Sequence, residues 1–574
     1  MTTVDQGDVA APVDATTTAG HEPSGGWWPR WRGAARRELP SSLEILALTT
    51  FVVARPVLGS FGRSPESFLA RDADWTDVIA FGLVVVLAPA ALVVAGEIVL
   101  GLFGDRARRL GHLAAVAALL SLGAWQLIDP LGGWREVGVA GSVAVAGGLT
   151  VARARAASLG TFLRYASLGA AVFLVQFLAL SPVSSIVLGG RHVGTDAGAA
   201  GAAGDDAPPV VVVVMDGLPT GLLLDGEGHI DADLYPSIAS LTADATWYRN
   251  HTTVAQITLD AVPAILSGTR PSAGGKPPVA SNYPHSIFTL LGGTHDVHGA
   301  EAITGVCPVD LCPEPPGSPL AALVHDAARV WRWQMLDAEI DPELVPNAFD
   351  DRYDRTDEWI AGQDFSRGER PGLWVYHMLL PHPRWEYLPD GTRYEASARP
   401  AGLFIDTWSG WGADVARQRH VLQTQAADRQ LGEFVDRLRA DDAYDDSLIV
   451  VTADHGYAFA ADTPWRALDD DNYDQILWTP LIVKAPGQRE PVIDDRNVNS
   501  TDIVPTIAAE MGIDELPWDA DGEPAGTSER DPDDKWVVDW DCVEGHNEIR
   551  AYVVDGPPTA PVLHELDIEA RSDG

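Results

Sequence analysis

Asp216 and the pair Asp454-His455 are the residues of this chain best suited to hold a divalent cation. Each follows a run of strand-type residues: Val210–Val214 leads through Met215 into Asp216, and Ser447–Thr452 leads through Ala453 into Asp454-His455. Carboxylate oxygens with an imidazole nitrogen make a mixed donor set that suits Zn²⁺, Mn²⁺ or Mg²⁺. Strand carboxyl ends are also where an open α/β sheet places its active site. Types and placement together predict a metal-dependent enzyme. Between these positions, Thr258 opens the stretch Thr-Leu-Asp-Ala-Val-Pro-Ala-Ile-Leu-Ser-Gly. It reads as a short helix ending at Ser267-Gly268, with Asp260 as N-cap and Pro263 in the first turn. A hydroxyl at a helix start lies among free amides and the positive end of the dipole, which favour a phosphoryl or sulfuryl group. The commoner duty of a threonine there is to cap the helix.

Further side chains could serve the same site. Arg384 and Arg466 have the forked donors that clamp phosphate, and surface salt bridges are the equal alternative. Glu301 and Thr304 follow a strand-like stretch and could line a pocket. Cys307 and Cys312, in Cys-Pro-Val-Asp-Leu-Cys, are expected to pair as a disulfide on an oxidising exterior, which leaves Cys542 over.

The elements that must position these residues are strands and helices in alternation. Strands are expected at Val210–Met215, Gly372–Leu380, Ser447–Thr452 and Pro480–Ala485. Leu431, Phe434, Val435 and Leu438 mark a helix within 413–438. Helix then strand is the rhythm of a parallel sheet with covering helices, so the fold class is α/β, a mostly parallel sheet sandwiched by helices. Two short alternating runs after Gly522 could add edge strands.

This domain follows a different kind of segment. Five apolar stretches near 43–62, 78–103, 112–128, 136–152 and 165–188 fit bilayer spans, which need roughly 17–25 residues each. Arg30, Arg32, Arg36 and Arg37 precede the first; Arg106, Arg108 and Arg109 follow the second; Arg153, Arg155 and Arg164 follow the fourth. The intervening loops carry only Arg63, Arg71 and Arg135. The positive-inside rule then places the N-terminus in the cytoplasm and the catalytic domain outside, on a multi-pass protein of the cell membrane. The first forty residues lack the apolar core of a signal peptide, so the first span is expected to remain as an anchor. Arg55 within it could mark a substrate path or snorkel to the interface. The expected division is a cytoplasmic tail (1–42), a five-helix transmembrane domain (43–188), a Gly/Ala/Asp-rich linker (189–208), an extracytoplasmic catalytic domain (209–518) and a C-terminal extension (519–574). A net charge of −41 excludes nucleic acid as a partner. Asn250-His-Thr and Asn499-Ser-Thr are glycosylation sequons.

The order strand–Asp216, Thr258 at a helix start, His377 and His382 after a strand, and strand–Asp454-His455 resembles the alkaline phosphatase/sulfatase superfamily. So does the stretch Asn499-Ser-Thr-Asp-Ile-Val-Pro-Thr-Ile-Ala-Ala-Glu-Met-Gly-Ile513, which is similar to a sulfatase closing helix; the likeness covers about 209–518. Sulfatases carry Cys or Ser in Cys/Ser-x-Pro-x-Arg, ten residues before the Gly of a Leu-Leu-Thr-Gly-Arg-like end. Counting back from Gly268 reaches Thr258, without the formylglycine precursor and without the Arg. Threonine is the nucleophile of the phosphotransferring branches, lipoteichoic acid synthases and phosphoethanolamine transferases among them, which also have five N-terminal spans. Sulfatases have a second Asp where this chain has Gly217.

The resemblance implies a set of roles. Asp216, Thr258, Asp454 and His455 would hold one metal ion, with Mn²⁺ favoured over Mg²⁺ or Zn²⁺. Thr258 would be the nucleophile, and His382 would bind a phosphate oxygen or protonate the leaving group. His377 could touch substrate or be a core histidine. The implied enzyme is a membrane-anchored phosphotransferase or phosphodiesterase of the cell envelope, working through a phosphothreonine on lipid-linked or cell-surface phosphoesters. A sulfuric or phosphoric ester hydrolase is the alternative, and a non-catalytic receptor or scaffold the second. Membrane lipids or a lipid-linked substrate are the expected partners.

Overall fold

The structure, a computed structural model, describes residues 40–128, 135–155, 157–193, 207–272, 275–313, 317–336, 352–366, 368–394, 410–541 and 546–553. Most of the expected tail, linker residues 194–206 and Cys542 lie outside them. The chain forms two compact units, one from Met1–Thr49 with Ala90–Leu168, the other from Thr50–Pro89 with Gly169–Gly574.

The larger unit is built on strands β1 (Val210–Asp216), β2 (Thr246–Tyr248), β3 (His251–Thr252), β4 (Asp296–Ala300), β5 (Gly372–Pro381), β6 (Leu448–Ala453), β7 (Leu481–Lys484), β8 (Val492–Asp494), β9 (Val498–Asn499), β10 (Asp534–Asp541) and β11 (His546–Val553). Seven form one sheet in the order β4-β5-β1-β6-β7-β2-β8. β1 runs parallel to both β5 and β6, and only β7 runs against its neighbours. The expected class, a mostly parallel sheet covered by helices, is the fold observed.

Why β1 can be a pentavaline is visible in the two cores. Val211, Val213 and Met215 pack on one face with Ile449, Val451 and the helix Gly410–Ala440, through Leu431, Phe434, Val435 and Leu438. Val210, Val212 and Val214 pack on the other with Leu448, Val450 and the helices Thr258–Ser267 and Ile503–Glu510. A strand covered on both faces needs no alternation, and β-branched side chains fit its pleat. Each buried valine contributes about 1.5–3 kcal/mol by leaving water, so the register that brings Met215 opposite Ala453 is strongly held. That register sets Asp216 and Asp454 side by side.

Two sequence expectations change here. Thr258–Ser267 starts at Thr258 with Ile257 as N-cap, so Asp260 sits inside the first turn and Pro263 within the helix. Pro263 is the sixth residue of the helix, beyond the first turn whose N–H groups are free in any case, so it removes the bond that residue 263 would make to the carbonyl of Leu259. Both sequon asparagines are buried. Asn499 accepts from Thr501 N and caps the turn before Ile503–Glu510, while Asn250 donates to Pro532 O at 3.1 Å. Neither is presented to solvent. Cys307 and Cys312 are disulfide-bonded, as expected. The runs after Gly522 form a hairpin, β10 pairing with β11 antiparallel.

Against five expected spans, three helices among the described residues are long and apolar enough to cross a membrane: Pro40–Arg63, Trp75–Gly101 and Ser158–Leu180. The helices Asp105–Ile128 and Arg135–Arg155 stand where the third and fourth were expected. The first carries Asp105, Arg106, Arg108 and Arg109 in its opening turns, and the apolar stretch of the second, Gly141–Val151, is short. In the smaller unit Glu44 is buried and receives Arg153 Nη2 at 2.6 Å and Nε at 2.8 Å. His112 Nδ1 lies 2.9 Å from buried Glu97, and its Nε2 lies 3.6 Å from Glu44. In the larger unit, Pro56 has no N–H to offer the carbonyl of Val52. Trp331 Nε1, from the helix Leu320–Leu336, donates to that carbonyl at 3.0 Å. Arg71 meets Asp326 at 2.7 Å nearby.

Candidate functional site

Parallel strands end together, so the carboxyl ends of β1, β5 and β6 form one edge, and the helix Thr258–Ser267 begins over it. Asp216, Asp454 and His455 are wholly buried there, and one ligand atom from each lies within 4.8 Å of the others. Asp454 Oδ1 accepts the backbone N–H of Gly217 at 2.9 Å and of His455 at 2.7 Å. Its Oδ2 lies 3.5 Å from His455 Nε2. That nitrogen is the hub of the cluster: 3.9 Å from Asp216 Oδ1, 3.3 Å from Thr258 Oγ1 and 3.3 Å from Arg466 Nη2.

The tautomer of His455 follows from its other nitrogen. Nδ1 lies 3.1 Å from the carbonyl of Gly456, an acceptor only, so the ring proton sits on Nδ1 and Nε2 presents a lone pair. Burial pulls the His455 pKa down to about 4, against the opposing pull of Asp454, so the ring is neutral at pH 7. Arg466 meets that lone pair from one side, and a cation among the two buried carboxylates would relieve the repulsion that remains. Contacts of 3.3–3.9 Å are too long for good hydrogen bonds, yet suit oxygen and nitrogen donors sharing an ion about 2.0–2.2 Å from each. Buried donor types, tautomer and spacing all fit a divalent cation.

The remaining expected residues divide into those at the cluster and those beside it. Thr258 is buried, the first residue of its helix, with its hydroxyl turned to His455. His377, on β5, places Nε2 3.7 Å from Asp216 Oδ2; burial lowers its pKa, against Asp454. His382 follows the end of β5, with Nδ1 against the carbonyl of Pro383. Burial holds it well below the usual histidine range, and Arg466 and Arg352 add to the effect. Arg466 reaches the cluster, whereas Arg384 contributes its carbonyl, which accepts from Arg352. Glu301 accepts from Thr304 Oγ1 at 2.6 Å and from the amides of Val306 and Cys307, so it organises the disulfide loop. It also borders a cavity of about 360 Å³ beside His377, with Arg352, Arg355, Trp359 and Tyr376.

Three functional side chains have no counterpart in the sequence reading. Gln423 is fully buried on the helix Gly410–Ala440 and donates to the carbonyls of Pro381 at 3.0 Å and His382 at 2.7 Å. Arg352 donates to Pro383 O at 3.1 Å. Together they fix the loop that carries His382. Tyr457, fully buried, packs its ring against His455, His382 and Arg466. Only Tyr457 had a signal to follow, lying two residues after His455 on the same loop.

The sequence model of the Sulfatase family matches residues 208–513. Among solved structures, the phosphonate monoester hydrolase of Silicibacter pomeroyi is 18% identical, covering 57% of this chain and 79% of its own, with a TM-score of 0.41. The phosphonate monoester hydrolase of Agrobacterium radiobacter is 16% identical over 59% and 82%, with a TM-score of 0.38. A 2-O GAG sulfatase is 13% identical over 60% and 85%, with a TM-score of 0.39. No curated protein sequence matches. With the family match spanning more than half its length, the chain belongs to the Sulfatase family.

Proposed function

We propose that this protein is a membrane-anchored phosphotransferase or phosphodiesterase that works through a covalent phosphothreonine at Thr258. One observation carries the reading: a threonine hydroxyl at the start of a helix, 3.3 Å from the lone-pair nitrogen of a buried Asp/Asp-His cluster. Asp216, Asp454 and His455 would hold the ion, Mn²⁺ in preference to Mg²⁺ or Zn²⁺, with Thr258 completing the set. When bound, a divalent cation there neutralises phosphoryl charge and acidifies the Thr258 hydroxyl. Three spanning-length helices support an anchored enzyme whose substrate is lipid-linked or at the cell surface.

In the first step Thr258 Oγ attacks the phosphorus of a phosphodiester, forming one P–O bond as the bond to the leaving alcohol breaks. The helix amides meet the equatorial oxygens. Arg466, beside His455, adds positive charge to the same position. His382 carries the proton from Thr258 to the departing alkoxide through Nε2, since its Nδ1 proton is engaged by Pro383 O. A second alcohol or water then attacks the phosphothreonine along the same line as the bond to Thr258 Oγ breaks; His382 takes the acceptor's proton and returns it to Thr258 Oγ. His377 lies beside Asp216, its Nε2 3.7 Å from Oδ2. Sulfate-ester hydrolysis, the reading suggested by the family as a whole, would need Thr258 to act without a formylglycine.

The test is phospholipid head-group transfer by the full chain in detergent, with water and glycerol as competing acceptors. Transfer or hydrolysis that disappears in Thr258→Ala supports the proposal. Full activity in that variant removes the covalent scheme, and sulfate release without phosphoryl chemistry reverses the substrate assignment.

A further inference from the structure

We infer that Tyr457 is a positioning residue of this site, its ring occupying the space left by the missing side chain of Gly217 and setting His455 and His382 around the reacting position. The inference rests on the Thr258 reading above. Gly217 has φ +77°, and a Cβ there would fall 2.3 Å from a ring carbon of Tyr457. Any side chain after Asp216 would therefore have to displace the ring. Around its rim the ring stands edge-on to His455 (5.2 Å, 87°) and to His382 (5.9 Å, 72°) and stacks on Trp465 (5.2 Å, 15°). The Arg466 guanidinium lies 5.7 Å from its centre. Both flanking residues are pinned: Gly456 N donates to Ile476 O at 2.9 Å and Ala458 N to Trp465 O at 3.0 Å. A ring held by its backbone and in contact with both imidazoles and the arginine can fix their mutual angles. A cluster spaced for one small ion tolerates little error in those angles, because outer contacts tune metal affinity roughly 10–100-fold.

The measurements are Mn²⁺ titration by calorimetry and turnover of bis(p-nitrophenyl) phosphate by the full chain. Tyr457→Leu should weaken Mn²⁺ binding about tenfold and lower kcat about 100-fold with KM changed much less. Tyr457→Phe, which keeps the ring, should recover most of both. Gly217→Ala should mimic Tyr457→Leu by displacing the ring, and the double variant should be no more than about threefold worse than either single one. Losses that multiply in the double variant, or Tyr457→Phe as poor as Tyr457→Leu, would overturn the inference. Should Tyr457→Leu fail to fold, Gly217→Ala and Tyr457→Phe still decide it. Absence of wild-type turnover would count against the phosphoryl reading, whereas the Mn²⁺ titrations report on Tyr457 independently.

Discussion

Gln423→Leu separates support of the active-site loop from the chemistry itself. The side chain is fully buried and makes three hydrogen bonds: to Pro381 O at 3.0 Å, to His382 O at 2.7 Å, and from Glu386 N at 2.9 Å to its Oε1. Leucine is close in volume, so the core stays filled. Pro381 O keeps a donor in Trp385 Nε1 at 3.0 Å, while His382 O and Glu386 N lose the partner Gln423 supplied. Two buried backbone groups deprived of a partner cost about 1–3 kcal/mol each, and the apolar gain of leucine offsets about 1–2 kcal/mol. Taking the middle of each range, about 4 less about 1.5, the net expected loss is about 2.5 kcal/mol. The loop would relax to find new partners, and His382 moves with it; a shift of about 1 Å lowers turnover roughly 100-fold. Thermal unfolding, and kcat on bis(p-nitrophenyl) phosphate measured below the transition, read the two effects separately. A variant as stable as wild type would refute the hydrogen-bond assignment. A destabilised but folded variant with wild-type kcat would refute the role of the loop in placing His382.

Three other outcomes follow from the packing. Glu44→Gln and Arg153→Gln should each cost about 1–3 kcal/mol, because each removes one partner of an ion pair whose carboxylate is buried; the double variant should cost no more than the worse single one, and additive losses would contradict this. Lys535 is buried against Asn250 O and Asn497 Oδ1, and burial lowers its pKa from 10.5 to about 7. Between those values the unfolded chain holds one more proton than the folded one, so the contribution of Lys535 makes stability rise with pH. It should rise by about 1.4 kcal/mol per pH unit from pH 7 to 9. Lys535→Met should flatten that slope in chemical unfolding, and an unchanged slope would rule out a buried neutral amine. Chelation followed by Mn²⁺ at about 100 times its Kd should restore about 2.7 kcal/mol of stability in wild type and none in His455→Ala; an equal shift in both would place the ion elsewhere.

The legibility of this fold tracks how much of each element is buried. β1, β5, β6 and β7 were readable within a residue or two because both faces are covered, which writes an uninterrupted apolar run such as Val210–Val214. The edge strand β8 was not, since Val492–Asp494 is short and partly solvated and carries no period, while β4 showed only as a strand-like stretch before Glu301. Asp216, Thr258, Asp454 and His455 were readable because their types are unusual just past strands and at a helix start. Gln423 and Arg352 were not, because they act on backbone carbonyls about forty and thirty residues away, a relation that leaves no motif. The buried asparagines Asn250 and Asn499 show the limit of a three-residue pattern: a sequon specifies nothing about exposure. Helices Asp105–Ile128 and Arg135–Arg155 were expected as spans from apolar content that their flanking arginines dilute.

The most direct measurement is mass spectrometry of Thr258 after rapid acid quench of the full chain, with Mn²⁺ and a phosphodiester substrate. The account predicts a phosphate mass on the peptide carrying Thr258, lost on addition of an alcohol acceptor and absent in Thr258→Ala. Turnover that proceeds with Thr258 unmodified at every quench time would contradict it.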